Sequence, residues 1–133
     1  MLDFKTILIF DEATYAALDL SQAIEESEGC VAGPVATLAD TLTILDTTDV
    51  GGAIVDCQLA DAAEVVMLLT QRDVPFVAQI CATLPQSLGD LGEKVSVLVR
   101  PVDPRTILEN LLMEIGRLEL RASNKLGSDH KEV

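Results

Sequence analysis

Five short apolar runs, spaced through the chain and separated by stretches of helical period, limit the fold more than any other feature of this sequence. The runs are Thr6-Ile7-Leu8-Ile9-Phe10, Cys30-Val31-Ala32-Gly33, Gly52-Ala53-Ile54-Val55-Asp56, Phe76-Val77-Ala78-Gln79-Ile80 and Val95-Ser96-Val97-Leu98-Val99. Each is too short for a core helix, and the central one is β-branched and continuous rather than alternating. That pattern suits strands buried on both faces of a parallel sheet. Parallel neighbours need crossovers, and the intervening segments supply them.

From Ala13 to about Glu28 the residues Ala16, Ala17, Leu20, Ala23 and Ile24 recur at helical spacing, and Gly29 ends the stretch. Gly33-Pro34 closes the second run. Thr37 is placed to cap a second helix with Asp40 three residues on, and Leu38, Leu42 and Leu45 form its apolar stripe. A third helix is expected from Asp61 to Gln71 with Val65, Val66, Leu68 and Leu69 inward, before Pro75 opens the fourth strand. Between Cys81 and Lys94 the signal is weak. Pro85 can start a short fourth helix, which Gly89 and Gly92 would weaken. Asp103-Pro104 pairs an acidic N-cap with proline at the first helical position, and Ile107, Leu108, Leu111, Leu112, Ile115 and Leu118 carry a fifth helix to about Leu120. The reading is one domain over residues 1–120, with a polar, disordered tail over 121–133. Strand and helix alternate throughout, so right-handed crossovers give a doubly wound α/β sheet with helices on both faces.

Composition narrows the function. The net charge of −13 opposes binding to nucleic acid or to anionic membranes and suits a cation site or a basic partner surface. No run approaches the length of a membrane span, and Met1-Leu2-Asp3-Phe4-Lys5 lacks the form of a signal peptide, so a cytoplasmic location is expected. Cys30, Cys57 and Cys81 form no CxxC pair and read as reduced thiols; a redox pair of Cys57 with Cys81 is the minor alternative. The single histidine, His130, lies in the tail, which argues against a histidine triad or zinc site.

Charged signals fall at the carboxyl ends of three strands: Asp11-Glu12 after the first, Asp56 ending the third and Arg100-Pro101 after the fifth. In open α/β sheets that rim is where ligands sit. The bland alternatives are helix caps for Asp11-Glu12 and Asp56, and a surface ion pair for Arg100. This constellation resembles the receiver domain of two-component response regulators, over about residues 5 to 120. Gly33-Pro34-Val35-Ala36-Thr37 and Val74-Pro75-Phe76-Val77 are also similar to single-domain receivers found in some bacteria. The resemblance implies a five-stranded, flavodoxin-like (CheY-like) sheet of order 2-1-3-4-5.

It further implies that Asp56 is the phosphoacceptor, charged by a histidine kinase or phosphotransfer protein. A carboxylate is a competent nucleophile toward phosphorus. By the same resemblance Mg²⁺ (or Mn²⁺) would lie against Asp11, Glu12, Asp56 and the backbone carbonyl of Gln58. A hard divalent ion takes oxygen ligands of this kind. Arg100 stands where the family has lysine, and Pro101 would follow a cis peptide bond. The family's hydroxyl-bearing switch position falls on Ile80 and its aromatic switch position on Val97, so neither relay side chain is kept. Output would pass to a protein partner, or to a second copy, through the face of the fourth helix, fifth strand and fifth helix. The competing expectation is a pseudo-receiver, an interaction module indifferent to phosphate. A flavodoxin relative lacks support because no Ser/Thr/Gly-rich cradle follows the first strand. A haloacid-dehalogenase-type phosphatase lacks the spaced aspartate pair, since the order is Asp11-Glu12-Ala13.

Overall fold

The computed structural model describes residues 2–12 and 14–131, with side chains as far as Ser123. Five strands are present: β1 (Thr6–Phe10), β2 (Cys30–Val35), β3 (Val50–Asp56), β4 (Phe76–Ile80) and β5 (Val97–Val99). All pair in parallel, in the order β2-β1-β3-β4-β5. Between and after them run α1 (Tyr15–Glu26), α2 (Leu38–Thr47), α3 (Ala62–Gln71) and α4 (Pro104–Lys131). This is the doubly wound, five-stranded sheet that the sequence pattern and the resemblance lead one to expect.

Side chains on a strand alternate between faces, so each central strand feeds two cores. In β1, Leu8 and Phe10 enter the layer under α3, whereas Ile7 and Ile9 enter the layer under α1 and α4. In β3, Ala53 and Val55 take the first layer and Ile54 the second; in β4, Phe76, Ala78 and Ile80 take the first and Val77 the second. Each fully buried branched or aromatic side chain contributes roughly 1.5–3 kcal/mol, so β1 and β3 anchor the fold.

Several boundaries differ from the sequence reading. Helix α1 starts at Thr14, whose Oγ1 accepts from the Ala17 N–H at 3.2 Å, so Asp11 and Glu12 lie outside it and the cap expected of them is filled by threonine. Strand β2 runs through Gly33-Pro34 to Val35. Gly33 takes φ 108°, where a Cβ would lie 2.7 Å from the Ile9 carbonyl oxygen, so glycine lets the strand stay paired across its irregularity. Thr37 caps α2 as expected, accepting from the Asp40 N–H at 3.2 Å. Its one fully buried residue is Thr41 rather than a leucine, with the hydroxyl satisfied by the Thr37 carbonyl at 2.9 Å. Asp61 accepts from the Leu38 N–H at 2.8 Å and so ties the start of α3 to the start of α2.

The fourth helix does not form. Two single 3₁₀ turns, Gln86–Leu88 and Leu91–Glu93, replace it, because Gly89 and Gly92 interrupt a segment too short to recover the cost of helix nucleation. Leu88 and Leu91 still point into the core. The partner face expected at the fourth helix, fifth strand and fifth helix therefore has turns where its first element was placed. The last helix departs in the other direction. Its backbone passes Arg121 and continues to Lys131, where a disordered tail was expected. Residues 121–131 contain no proline, and Arg121, Ala122, Lys125 and Leu126 extend a helix already nucleated on an apolar stripe, against the lower propensity of Asn124 and Gly127. Residues 132 and 133 lie outside the described residues. No helix among the described residues is long and apolar enough to cross a membrane.

Candidate functional site

The same alternation that builds the cores also builds the site. Ile7 and Ile9 face α1 and α4, and a further step of two brings Asp11 to that face just beyond β1. Ile54 sets Asp56 there in β3, Val77 sets Gln79 there in β4, and Leu98 sets Arg100 there just after β5. Backbone pairing extends past two of the strand ends: the Asp11 N–H donates to the Val35 carbonyl at 2.9 Å and the Arg100 N–H to the Ile80 carbonyl at 2.8 Å. Asp56 and Gln79 are register partners. Four adjacent strand ends thus put two carboxylates, an amide and a guanidinium in one row at the carboxyl edge of the sheet.

Arg100 spans that row. Its Nη2 donates to Asp11 Oδ2 at 2.6 Å, its Nη1 meets Asp56 Oδ2 at 3.4 Å and its Nε donates to Gln79 Oε1 at 2.8 Å. The remaining carboxylate oxygens take backbone donors, Asp11 Oδ1 from the Glu12 N–H at 2.7 Å and Asp56 Oδ1 from the Gln58 N–H at 2.9 Å. Asp11, Asp56 and Gln79 are 5%, 6% and 5% exposed, so these are bonds in a largely water-excluded place. Burial pushes the Asp11 carboxyl above its ordinary range, and the nearby Asp56 charge adds to this; Arg100 and the Glu12 N–H oppose it.

The other residues named from the sequence are distributed differently. Glu12 and Gln58 contribute backbone N–H groups to the two carboxylates while their side chains are exposed. Ile80 is buried in the α3-side core, and Val97 packs against the same cluster, so neither side chain lies on the face of the row. The Arg100–Pro101 peptide bond is cis. Every oxygen of Asp11 and Asp56 already accepts from an N–H or lies against the guanidinium, so a divalent ion there would compete with Arg100 for the same two acids. Among the described residues no three His, Cys, Asp or Glu side chains are grouped to hold a metal.

All three cysteines are free thiols. Cys57 is buried, and its thiol is pushed up to about 11, first by burial and then by the Asp56 charge. Cys81 is exposed, so of the two only Cys57 is a core thiol. Iodoacetamide at about pH 8 should therefore alkylate Cys30 and Cys81 on the folded protein and Cys57 only after unfolding. Intact mass spectrometry counts the adducts, and three on the native chain would contradict the burial of Cys57.

No family model matches the sequence, and no curated protein matches it either. Solved structures do. The chain is similar to a CheY-like response regulator receiver domain protein from Methanospirillum hungatei JF-1, at TM-score 0.75 and 21% identity, over 89% of this chain and 98% of that one. It is similar to the signal receiver domain of a modulated diguanylate cyclase from Desulfovibrio desulfuricans G20, at TM-score 0.77 and 19% identity, over 90% and 99%. A response regulator receiver protein from Sinorhizobium medicae WSM419 aligns at TM-score 0.71 and 16% identity, over 89% and 99%.

The chain has the receiver-domain fold. Within that receiver fold the row of strand ends occupies the edge at which β1 and β3, neighbours out of sequence order, create a topological switch point. The receiver edge also borders a cavity of about 440 Å³ lined by Asp11, Ala16, Leu20, Gln79, Arg100 and Ile107 among others. Gln79 is the residue that sequence reasoning missed. Its signal was present: it is the one polar residue inside β4, a run otherwise apolar, and it has the same strand alternation as Asp56.

Proposed function

We propose that this receiver-fold domain is a signalling module that accepts a phosphoryl group on Asp56 and acts through contacts with other proteins, rather than an enzyme with a separate small-molecule substrate. The observation that carries the reading is Asp56 itself, a buried carboxylate at the carboxyl end of the central strand with a guanidinium 3.4 Å away. The phosphoryl donor would be a phosphohistidine on a histidine kinase or phosphotransfer protein. A carboxylate oxygen of Asp56 attacks phosphorus, the P–N bond breaks, and the imidazole leaves with the electron pair and takes up a proton. The product is an acyl phosphate whose added charge lies beside Arg100, a residue able to hold phosphate oxygens with paired donors. Output would pass to a downstream protein near Val99 and Met113, exposed apolar residues on β5 and α4.

Incubation with acetyl phosphate, with and without Mg²⁺, tests the reading by intact mass. A single phosphoryl adduct is expected on the parent chain and none on Asp56→Asn. No adduct under either condition, nor from a panel of phosphorylated histidine donors, on protein shown to be folded, would reject it and leave a phosphate-independent interaction module.

A further inference from the structure

We propose that Arg100 is the resident cation of this site, so that a divalent metal binds the Asp11–Asp56 pair only by displacing it. Two buried carboxylates facing one space can both stay ionised only with a positive charge between them. Here that charge arrives on a side chain. The guanidinium reaches both acids, at 2.6 and 3.4 Å, and it is held from behind by the Gln79 amide at 2.8 Å. Its backbone is fixed in turn by the bond from the Arg100 N–H to the Ile80 carbonyl at 2.8 Å. Both constraints come from adjacent residues of β4, one on the side chain and one on the backbone, and together they place the fork rather than leave it to swing.

Coexistence with a metal is opposed by contact and by charge. Mg²⁺ takes oxygen ligands at about 2.0–2.1 Å and demands near-octahedral geometry. Asp11 Oδ2 already gives its short contact to Nη2 at 2.6 Å, which weakens it as a metal ligand. A divalent ion at the same carboxylates would also repel a guanidinium strongly where water is scarce. Tethering then favours Arg100, because its local concentration at the acids is set by the fold and not by the solution. Gln79 acts as a positioning residue in this scheme: it touches neither acid directly in the contacts above but fixes the arginine that does.

The inference needs the carboxylate pair and not its phosphorylation, and its experiment reads cation binding alone, so it stands or falls separately from the function proposed above. Mn²⁺ is titrated into the full chain and the free ion is read by electron paramagnetic resonance, with Mg²⁺ as competitor. Arg100→Gln should bind Mn²⁺ about ten- to a hundredfold more tightly than the parent, the factor carried by one charge-assisted hydrogen-bonded contact. Gln79→Ala, which leaves Arg100 facing both acids, should show an intermediate gain. Adding Asp56→Asn to Arg100→Gln should abolish the gain and thereby separate it from ions gathered by the acidic surface. Equal affinity in the parent and Gln79→Ala overturns the proposal even if Arg100→Gln fails to fold, as does a parent that binds as tightly as Arg100→Gln.

Discussion

Arg100→Gln should lower the stability of the folded chain by about 2–4 kcal/mol at pH 7, and the loss should shrink as the pH falls. Removing one partner of a fully buried ion pair costs roughly 3–5 kcal/mol, because the other charge is left without compensation. The Arg100 side chain is 27% exposed, so solvent already screens part of its interaction and the lower range applies. The pH dependence follows from Asp11. Its carboxyl is raised in the folded protein, mainly by burial, so the folded state holds that proton more tightly than the unfolded chain does. Stability from that preference is complete below the unfolded value and is lost as pH rises through the folded one. Arg100 opposes the upward shift, and without it the shift and the penalty at neutral pH both grow. Urea denaturation of parent and variant at pH 7 and at about pH 4.5 measures the gap at each. A gap that is the same at both would show that lost packing, not charge, is responsible.

Phe10→Ala should cost about 3–5 kcal/mol, a large share of the roughly 5–15 kcal/mol that an ordinary domain has. Phe10 is fully buried at the end of β1, paired on one side with Val35 of β2 and on the other with Val55 of β3. A central strand has no free side toward which it can relax, so the cavity persists. Phe4 provides the control, being 74% exposed; Phe4→Ala should change stability by less than about 0.5 kcal/mol. Urea midpoints compare the two directly, and equal effects would mean that burial does not govern stability here. Asp11 follows Phe10 in the chain, so folded Phe10→Ala protein should also show a disturbed site.

What was legible in the sequence and what was not divide along physical lines. The strands could be read because a buried parallel strand must be short, apolar and β-branched, and Ala53-Ile54-Val55 meets all three demands locally. Asp11, Asp56 and Arg100 could be placed at the sheet edge for the same reason, since an end is visible wherever a run stops. The segment from Cys81 to Lys94 could not be settled, because Pro85 favours a helix and Gly89 and Gly92 oppose it at similar cost. The extension of α4 was missed because helix propagation depends on the turn before it, and residues 121–131 have no apolar stripe of their own. Gln79 and the span of Arg100 were hidden for a different reason. Whether a guanidinium crosses from β5 to β1 depends on strand order, twist and side-chain length together, none of which is written at either position. Strand order itself came from the resemblance, as no local pattern specifies which strands become neighbours.

The row of strand ends has a consequence for how such a molecule can vary over time. Asp11, Asp56, Gln79 and Arg100 each occupy their face because an even number of residues separates them from an inward-facing residue of the same layer. Losing or gaining a single residue inside any of those strands would swing the polar group to the opposite side and carry the core residues with it. Polar edge and hydrophobic interior therefore share one count. Substitution can retune the chemistry one position at a time, but a change of strand length is tolerated only in twos, so indels should collect in the loops and the bare arithmetic of the pleat should guard the site.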